Sequence, residues 1–485
     1  MTLKEKTVKG LVWSFIELLS RQGITFILGI ILARLLNPDE FGLIAMTSIF
    51  FAVSQMFISS GFGEALVRKS DCTQADYSTV FYYNLVVSIV FSLLLFFVAG
   101  TIGDYFDEPQ LKQIIRVLSV GLVVTSFTVV QQAILTRRVD FKLQTKISVI
   151  SGLISGIVGI VMAIMDYGVW SLVAKMLLGS LITSALLWFM NTWRPSLLFS
   201  IGSFREMFSF GYKLLFVHLI DAIYRNVYYF IIGKFFSAAD LGFYSRADQF
   251  SMFPAQNMTI AVQRVSYPVL SRVQEENDRL KEGYRKIILT IMFITFLMMM
   301  GLAAVSKPLI MLLLGAKWAP VTVYLQLLCI GTMLLPLQAL NLNILNVKGR
   351  SDLALKIELF KKALAVPIII AGIFWGIKYM ILGIILNSFI AYYINSYFSG
   401  RLINYPLREQ ISDILPTFLL SLIISGTVYS LTFIITSGDL LLLTVQIITG
   451  ILLTLVLSEK FKPGGYLELK EIYAAKGSLL KSLFR

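Results

Sequence analysis

Apolar residues run through this chain in blocks of about twenty, the length an α-helix needs to cross roughly 30 Å of hydrocarbon. The blocks fall near 11–36, 41–66, 79–103, 111–135, 147–166, 168–190, 207–236, 243–268, 287–306, 320–346, 357–376, 379–400, 411–436 and 439–458. They predict about fourteen spanning helices. Turns such as Asp166-Tyr167-Gly168 and Ser437-Gly438-Asp439 separate neighbouring blocks, because Gly and Asp tolerate the backbone geometry of a reversal. Pro254, Gln256 and Asn257 are expected to interrupt the eighth block near its middle, freeing backbone groups that can line a cavity, or simply to kink it. The first block follows basic residues, as in a signal peptide, but runs about 25 residues into Arg34 and Asn37-Pro38 without a small-residue cleavage site, so it is expected to stay uncleaved.

Composition supports lipid as the solvent. Of 485 residues, 57% are apolar and 14% charged, too little polar surface to cover a single water-soluble core. The net charge of +14 is distributed by topology rather than as a nucleic-acid patch. With the N-terminus inside, 28 Lys and Arg fall in cytoplasmic segments and six fall opposite, at Arg34, Lys112, Lys234, Lys307, Lys317 and Lys378. This positive-inside bias predicts that both termini are cytoplasmic. The basic tail at 461–485 is a solvated anchor that also suits anionic headgroups. Cys72 and Cys329 stand far apart and suggest neither a disulfide framework nor a metal site.

The chain repeats itself. At an offset of 200, Arg34-Leu-Leu-Asn-Pro-Asp-Glu-Phe-Gly42 pairs with Lys234-Phe-Phe-Ser-Ala-Ala-Asp-Leu-Gly242, matching charge, acid and glycine. At an offset of 210, Val117-Leu-Ser-Val-Gly121 meets Leu327-Leu-Cys-Ile-Gly331. The implied fold class is an all-α polytopic membrane protein with two parallel-repeat six-helix lobes, 1–200 and 201–405, then helices 13 and 14 over 406–460 and the tail. Such paired bundles rock about a central substrate site, which favours a transporter.

Charges inside the blocks mark candidate sites, since an ionised group at a helix centre costs about 2.5–3.5 kcal/mol even on lenient scales. Glu17 and Arg21 share a face of the first helix, and Lys213, His218, Asp221 and Arg225 share a face of the seventh with Tyr228. Because Arg21 pairs with Asp221 at the offset of 200, both halves are expected to bring charge to one cavity. One reading is a cationic site of Arg21, Lys213 and Arg225 for an anionic group such as phosphate, with Glu17, Asp221 or His218 responding to a coupling ion or proton. The other is two structural pairs, Glu17 with Arg21 and Asp221 with Arg225. Lys175, Arg246, Asp248 and Arg264 read as rim or interfacial charges. Nucleotide-binding and hydrolase motifs and Cys/His clusters are absent from the sequence, so no enzyme activity, cofactor or metal is expected.

Gly10-Leu-Val-Trp-Ser14, Gln22 and Leu32-Ala-Arg-Leu-Leu-Asn-Pro-Asp-Glu-Phe-Gly-Leu-Ile-Ala-Met46 resemble the opening of bacterial Wzx-type polysaccharide flippases of the multidrug/oligosaccharidyl-lipid/polysaccharide (MOP) exporter superfamily. Ala238-Ala-Asp-Leu-Gly-Phe-Tyr-Ser-Arg-Ala-Asp248, Val265-Ser-Tyr-Pro-Val-Leu-Ser-Arg272, Gly315-Ala-Lys-Trp-Ala-Pro320 and Lys348-Gly-Arg-Ser-Asp352 resemble its colanic-acid-exporter-like branch. The resemblance implies an inner-membrane protein moving undecaprenyl-diphosphate-linked oligosaccharide for surface polysaccharide synthesis, coupled to an ion gradient. It also implies lipid contacts and polymerase or chain-length partners. In related peptidoglycan-precursor flippases, helices 1, 2 and 8 supply cavity arginines. Arg21 matches the first, helix 2 has none between Phe41 and Gly63, the helix 8 arginines sit toward its ends, and Arg225 on helix 7 is expected to substitute. Two other functions fit the composition: a cation-coupled exporter of small amphipathic molecules, and a non-transporting scaffold of a polysaccharide assembly complex.

Overall fold

The computed structural model describes residues 3–483, and every element within them is helical. The extreme termini, including the end of the 461–485 tail, lie outside the described residues. The chain divides into two compact units, Met1–Ser245 and Arg246–Arg485. The predicted lobe boundary at 200 falls one long helix earlier.

The first unit contains α1 (Leu3–Leu35), α2 (Pro38–Ser59), α3 (Phe62–Arg68), α4 (Gln74–Phe106), α5 (Pro109–Arg137), α6 (Phe141–Ile164), α7 (Val169–Met190) and α8 (Ile201–Phe235). Within it α4 packs on α5, α1 on α6, α6 on α7, and α8 on α2, α3 and α4. Helix starts follow local chemistry. Asn37 and Glu40 form a capping box at α2, and Thr73 and Asp76 form another at α4, each satisfying amides that hydrocarbon cannot. Pro38 and Pro109 occupy first-turn positions, where a missing N–H costs nothing.

α9 (Ala238–Ser271) crosses the division. The second unit continues with α10 (Asn277–Leu313), a 3₁₀ turn at Ala316–Trp318, α11 (Val321–Thr332), α12 (Leu335–Val347), α13 (Ser351–Trp375), α14 (Ile377–Leu402), α15 (Leu407–Ile434), α16 (Asp439–Phe461) and α17 (Gly464–Leu483). α10 packs against α11, α15, α16 and α17, while α14 packs against α11, α12 and α13. A buried polar seam joins these layers. Asn341 Oδ1 accepts from Tyr284 Oη and Ser399 Oγ, each at 2.5 Å, and the Gln338 amide donates to Ser388 Oγ at 3.0 Å. Arg285 fastens α15 to α10 by donating through two nitrogens to Asp413, each at 2.6 Å, and Tyr405 donates to the same carboxylate at 2.5 Å.

Among the described residues, eleven helices are long and apolar enough to cross a membrane, counting α2 with α3 and α11 with α12 as single spans. α1, α9 and α13, also predicted as spans, have comparable lengths of 33, 34 and 25 residues. Several expectations need correction. The predicted helix 41–66 breaks at Ser60-Gly61, both left-handed, which frees α3 as a separate short helix. The predicted helix 320–346 divides ahead of Pro336, whose ring cannot continue the ladder. Pro254 does not interrupt the eighth span. α9 runs through it, and the Asn257 side chain donates to the Phe253 carbonyl at 2.7 Å. The turns at Asp166 to Gly168 and at Gly438 form as expected, with φ of 59°, 55° and 108° at Asp166, Gly168 and Gly438.

Asp413→Ala leaves Arg285 and Tyr405 without their shared acceptor at a site between exposed and buried. It is expected to cost about 2 kcal/mol, intermediate between surface and buried pairs. Thermal unfolding in detergent measures this, and an unchanged midpoint would show that α15 is held by apolar packing alone.

Candidate functional site

α8 carries the densest charge in the apolar part of the first unit. Lys213 and Arg225 are exposed on it, and neither has a carboxylate partner among the described residues. Asp221 is half-buried and engaged in an interaction of its own, so the Asp221–Arg225 clasp expected as the structural alternative does not form. Tyr228, one turn beyond Arg225, is buried with 7% exposure. On α1 the expected i,i+4 pair does form: Arg21 Nε lies 3.6 Å from Glu17 Oε1, with the Arg21 side chain 61% exposed. A guanidinium so open to its surroundings keeps donors for a ligand.

His218 meets a residue that the sequence reading missed. Its Nε2 lies 3.5 Å from Glu64 Oε1 on α3. α3 reaches α8 because Ser60 (φ 44°) and Gly61 (φ 67°) turn the chain left-handed at the end of α2. Gly61 must be glycine for a second reason, since its Cβ would lie 3.0 Å from the Gly211 carbonyl oxygen on α8. Below this crossing the Arg68 guanidinium sits 4.5 Å from the Phe210 ring centroid. Lys69 then bridges Asp76 on α4, 3.0 Å away and 1% exposed, and Glu206 on α8 at 2.9 Å. The Glu206 carboxylate, with Asp76, raises the Lys69 ammonium above the usual lysine range. Arg137 at the end of α5 holds the connection from above, donating to the Leu66 and Lys69 carbonyls at 2.7 Å and to Ser70 at 2.8 Å. The Ser60-Gly61 dipeptide was the one available signal for this arrangement.

The remaining candidates sit elsewhere. Lys175 on α7 is half-buried, its Cβ 3.1 Å from where a Gly159 side chain would begin, within the α6–α7 seam. Arg246 and Asp248, both partly buried and engaged, and Arg264, exposed, belong to α9 in the second unit. That unit also contains an ion pair that the sequence reading passed over: Lys361, 7% exposed, donates to Glu358 one turn back on α13. Both residues fall at the start of the predicted block 357–376, where charge reads as a helix boundary.

Comparison with solved structures defines the class. The helices match a lipid II flippase MurJ in an inward closed conformation with a TM-score of 0.75, over 93% of this chain and 98% of that one, at 18% identity. They match an inward-facing multidrug resistance transporter of the MATE family, in the MOP superfamily, with a TM-score of 0.59, over 80% and 98%, at 14% identity. The protein is thus a multi-pass membrane protein with the fold of these transporters. Residues 31–323 match the polysaccharide biosynthesis protein family, and the chain belongs to it. Similar relatives are the lipopolysaccharide biosynthesis protein WzxC of Escherichia coli, 26% identical over 81% of this chain and 82% of that one, and the teichuronic acid biosynthesis protein TuaB of Bacillus subtilis, 25% identical over 73% and 74%.

Lys69→Met is expected to cost about 1–3 kcal/mol because nearly buried Asp76 loses its cation, whereas Glu206→Gln, at an exposed carboxylate, is expected to cost under about 1 kcal/mol. Tryptophan-detected unfolding in micelles orders the two, and equal losses would show that Asp76 is not the partner that matters.

Proposed function

We propose that the protein is a flippase that translocates isoprenoid-diphosphate-linked oligosaccharide across the bacterial inner membrane for surface polysaccharide synthesis. The observation that carries this reading is the pair of cations, Lys213 and Arg225, which have no carboxylate partner among the described residues on a helix apolar enough to cross a membrane. Unneutralised charge in hydrocarbon is costly, and a diphosphate headgroup supplies the missing anion. Arg21 adds a third donor group from α1. Glu17, Asp221 and His218 are then the groups whose protonation or ion binding couples the cycle. Membership of a polysaccharide biosynthesis family supports the sugar-lipid cargo over a small amphipathic drug.

In this reading fourteen helices cross the membrane with both termini cytoplasmic, six in each lobe and α15 and α16 outside the repeat. An open groove of about 320 Å³ lies between α10, α15 and α16. Its walls include Leu297, Val305, Ile424, Val428, Ile451 and Leu455, a lining suited to an isoprenoid tail. The polymerase and chain-length machinery are the partners expected downstream.

Deletion of the gene is expected to trap lipid-linked repeat units in the inner leaflet while surface polymer disappears. Arg225→Ala and Lys213→Ala should each abolish complementation at normal protein levels, and Arg225→Lys should restore part of it. Isotope-labelled lipid extracts and surface-polymer staining give the readout. Full export by the Arg225→Ala, Lys213→Ala double variant would assign these cations to structure.

A further inference from the structure

We propose that Lys112 and Arg116 on α5 form a binding site for the phosphate of an anionic phospholipid, separate from the charges of α8. The two residues stand one helical turn apart on one face of α5, and neither has a carboxylate partner among the described residues. Like charges at that spacing repel, and a bound anion relieves them. The acids of the α4–α5 turn do not fill this role. Asp107 faces Lys234 at 3.0 Å, and Asp104 and Glu108 make no ion pair among the described residues.

α4 builds the seat with Phe96, Gly100 and Gly103, which follow one another at helical spacing. Arg116 Nε donates to the Phe96 carbonyl at 3.2 Å, and the guanidinium carbon lies 4.8 Å from the Phe96 ring centroid. The planar group is thereby held in one orientation. Both its terminal nitrogens are left without an acceptor among the described residues, and they form the fork that binds phosphate oxygens in pairs. The lysine stem runs along the glycines: a Cβ built on Gly103 would lie 3.7 Å from Lys112 Cβ, and one built on Gly100 would lie 4.0 Å from Lys112 Cε. The surroundings are those of a lipid. Leu93, Phe97, Val117 and Val120 are exposed on the same two helices, both of which are apolar enough to span. Counted from the start of α5, Lys112 and Arg116 come about 5 and 10 Å along the axis, which crosses a headgroup band of about 5–8 Å to the edge of the hydrocarbon. Cations at that level extend to headgroup phosphates, and a lipid with net negative charge balances two of them better than a zwitterion. The topology of the flippase reading makes this the outer leaflet.

The test uses full-length protein in detergent carrying Lys213→Ala and Arg225→Ala, so that the cations assigned to the transported headgroup contribute nothing and the result is independent of the flippase reading. Native mass spectrometry counts retained lipid as phosphatidylglycerol or phosphatidylethanolamine is added. The first phosphatidylglycerol should bind several-fold more tightly than phosphatidylethanolamine. Adding Lys112→Gln with Arg116→Gln should abolish that preference by weakening phosphatidylglycerol about tenfold, the worth of one charge-assisted contact. Lys378→Gln, at an exposed cation on α14, should leave it unchanged. Gly100→Leu keeps both charges but fills the lysine's seat, and should weaken binding as well. Equal retention of the two lipids by the starting protein, or undiminished phosphatidylglycerol in the double Gln variant, would overturn the site. Displacement of phosphatidylglycerol by equimolar farnesyl diphosphate would overturn its assignment to bulk phospholipid and give the pair to the lipid-linked cargo.

Discussion

Hydrocarbon offers a polypeptide no hydrogen-bond partners, so each segment that enters it must satisfy its own backbone and account for each charge it carries. The architecture follows from this requirement. Backbone groups are closed within helices, and the helix starts at Asn37, Thr73 and Ser237 spend polar side chains on the first free amides. In the second unit a buried polar seam gathers around Asn341, where Tyr284 and Ser399 supply donors. Lys213 and Arg225, exposed on α8 and without a carboxylate partner among the described residues, stand apart from this seam.

α8 is secured at both ends within the first unit. At its beginning Glu206, Phe210, Gly211 and His218 receive α3 and Lys69. At its end Lys234 lies 3.0 Å from Asp107, and Phe230 packs edge-on against Phe50 and Phe106. Asp221 and Arg225 lie between these anchorages, and Lys213 lies within the first. A helix fixed at its two ends presents its middle residues at defined positions, which is what recognition of a compact anionic group demands.

The sequence disclosed whatever depends on one segment alone. Spans were legible because twenty apolar residues in a row have few other uses, and the turns at Gly168 and Gly438 were legible because their backbones need residues tolerant of positive φ. α3 was lost inside a single apolar block, since the left-handed pair Ser60-Gly61 leaves hydropathy unchanged. Glu64 became a partner of His218 only through that fold-back, and no spacing rule connects positions 64 and 218. At Asp221 and Arg225 the sequence left two readings open, and the i,i+4 pair that the spacing permits is not made by the side chains. Pro254 was over-read for a related reason: a proline removes one ladder bond, and a helix held by its neighbours carries on past the loss.

Gly42 lies against the Ala238 carbonyl and Gly242 against the Pro38 carbonyl, so two positions 200 residues apart in the sequence are restricted together. A methyl group at either glycine would strike the other helix's main chain, and the starts of α2 and α9 therefore limit each other's composition.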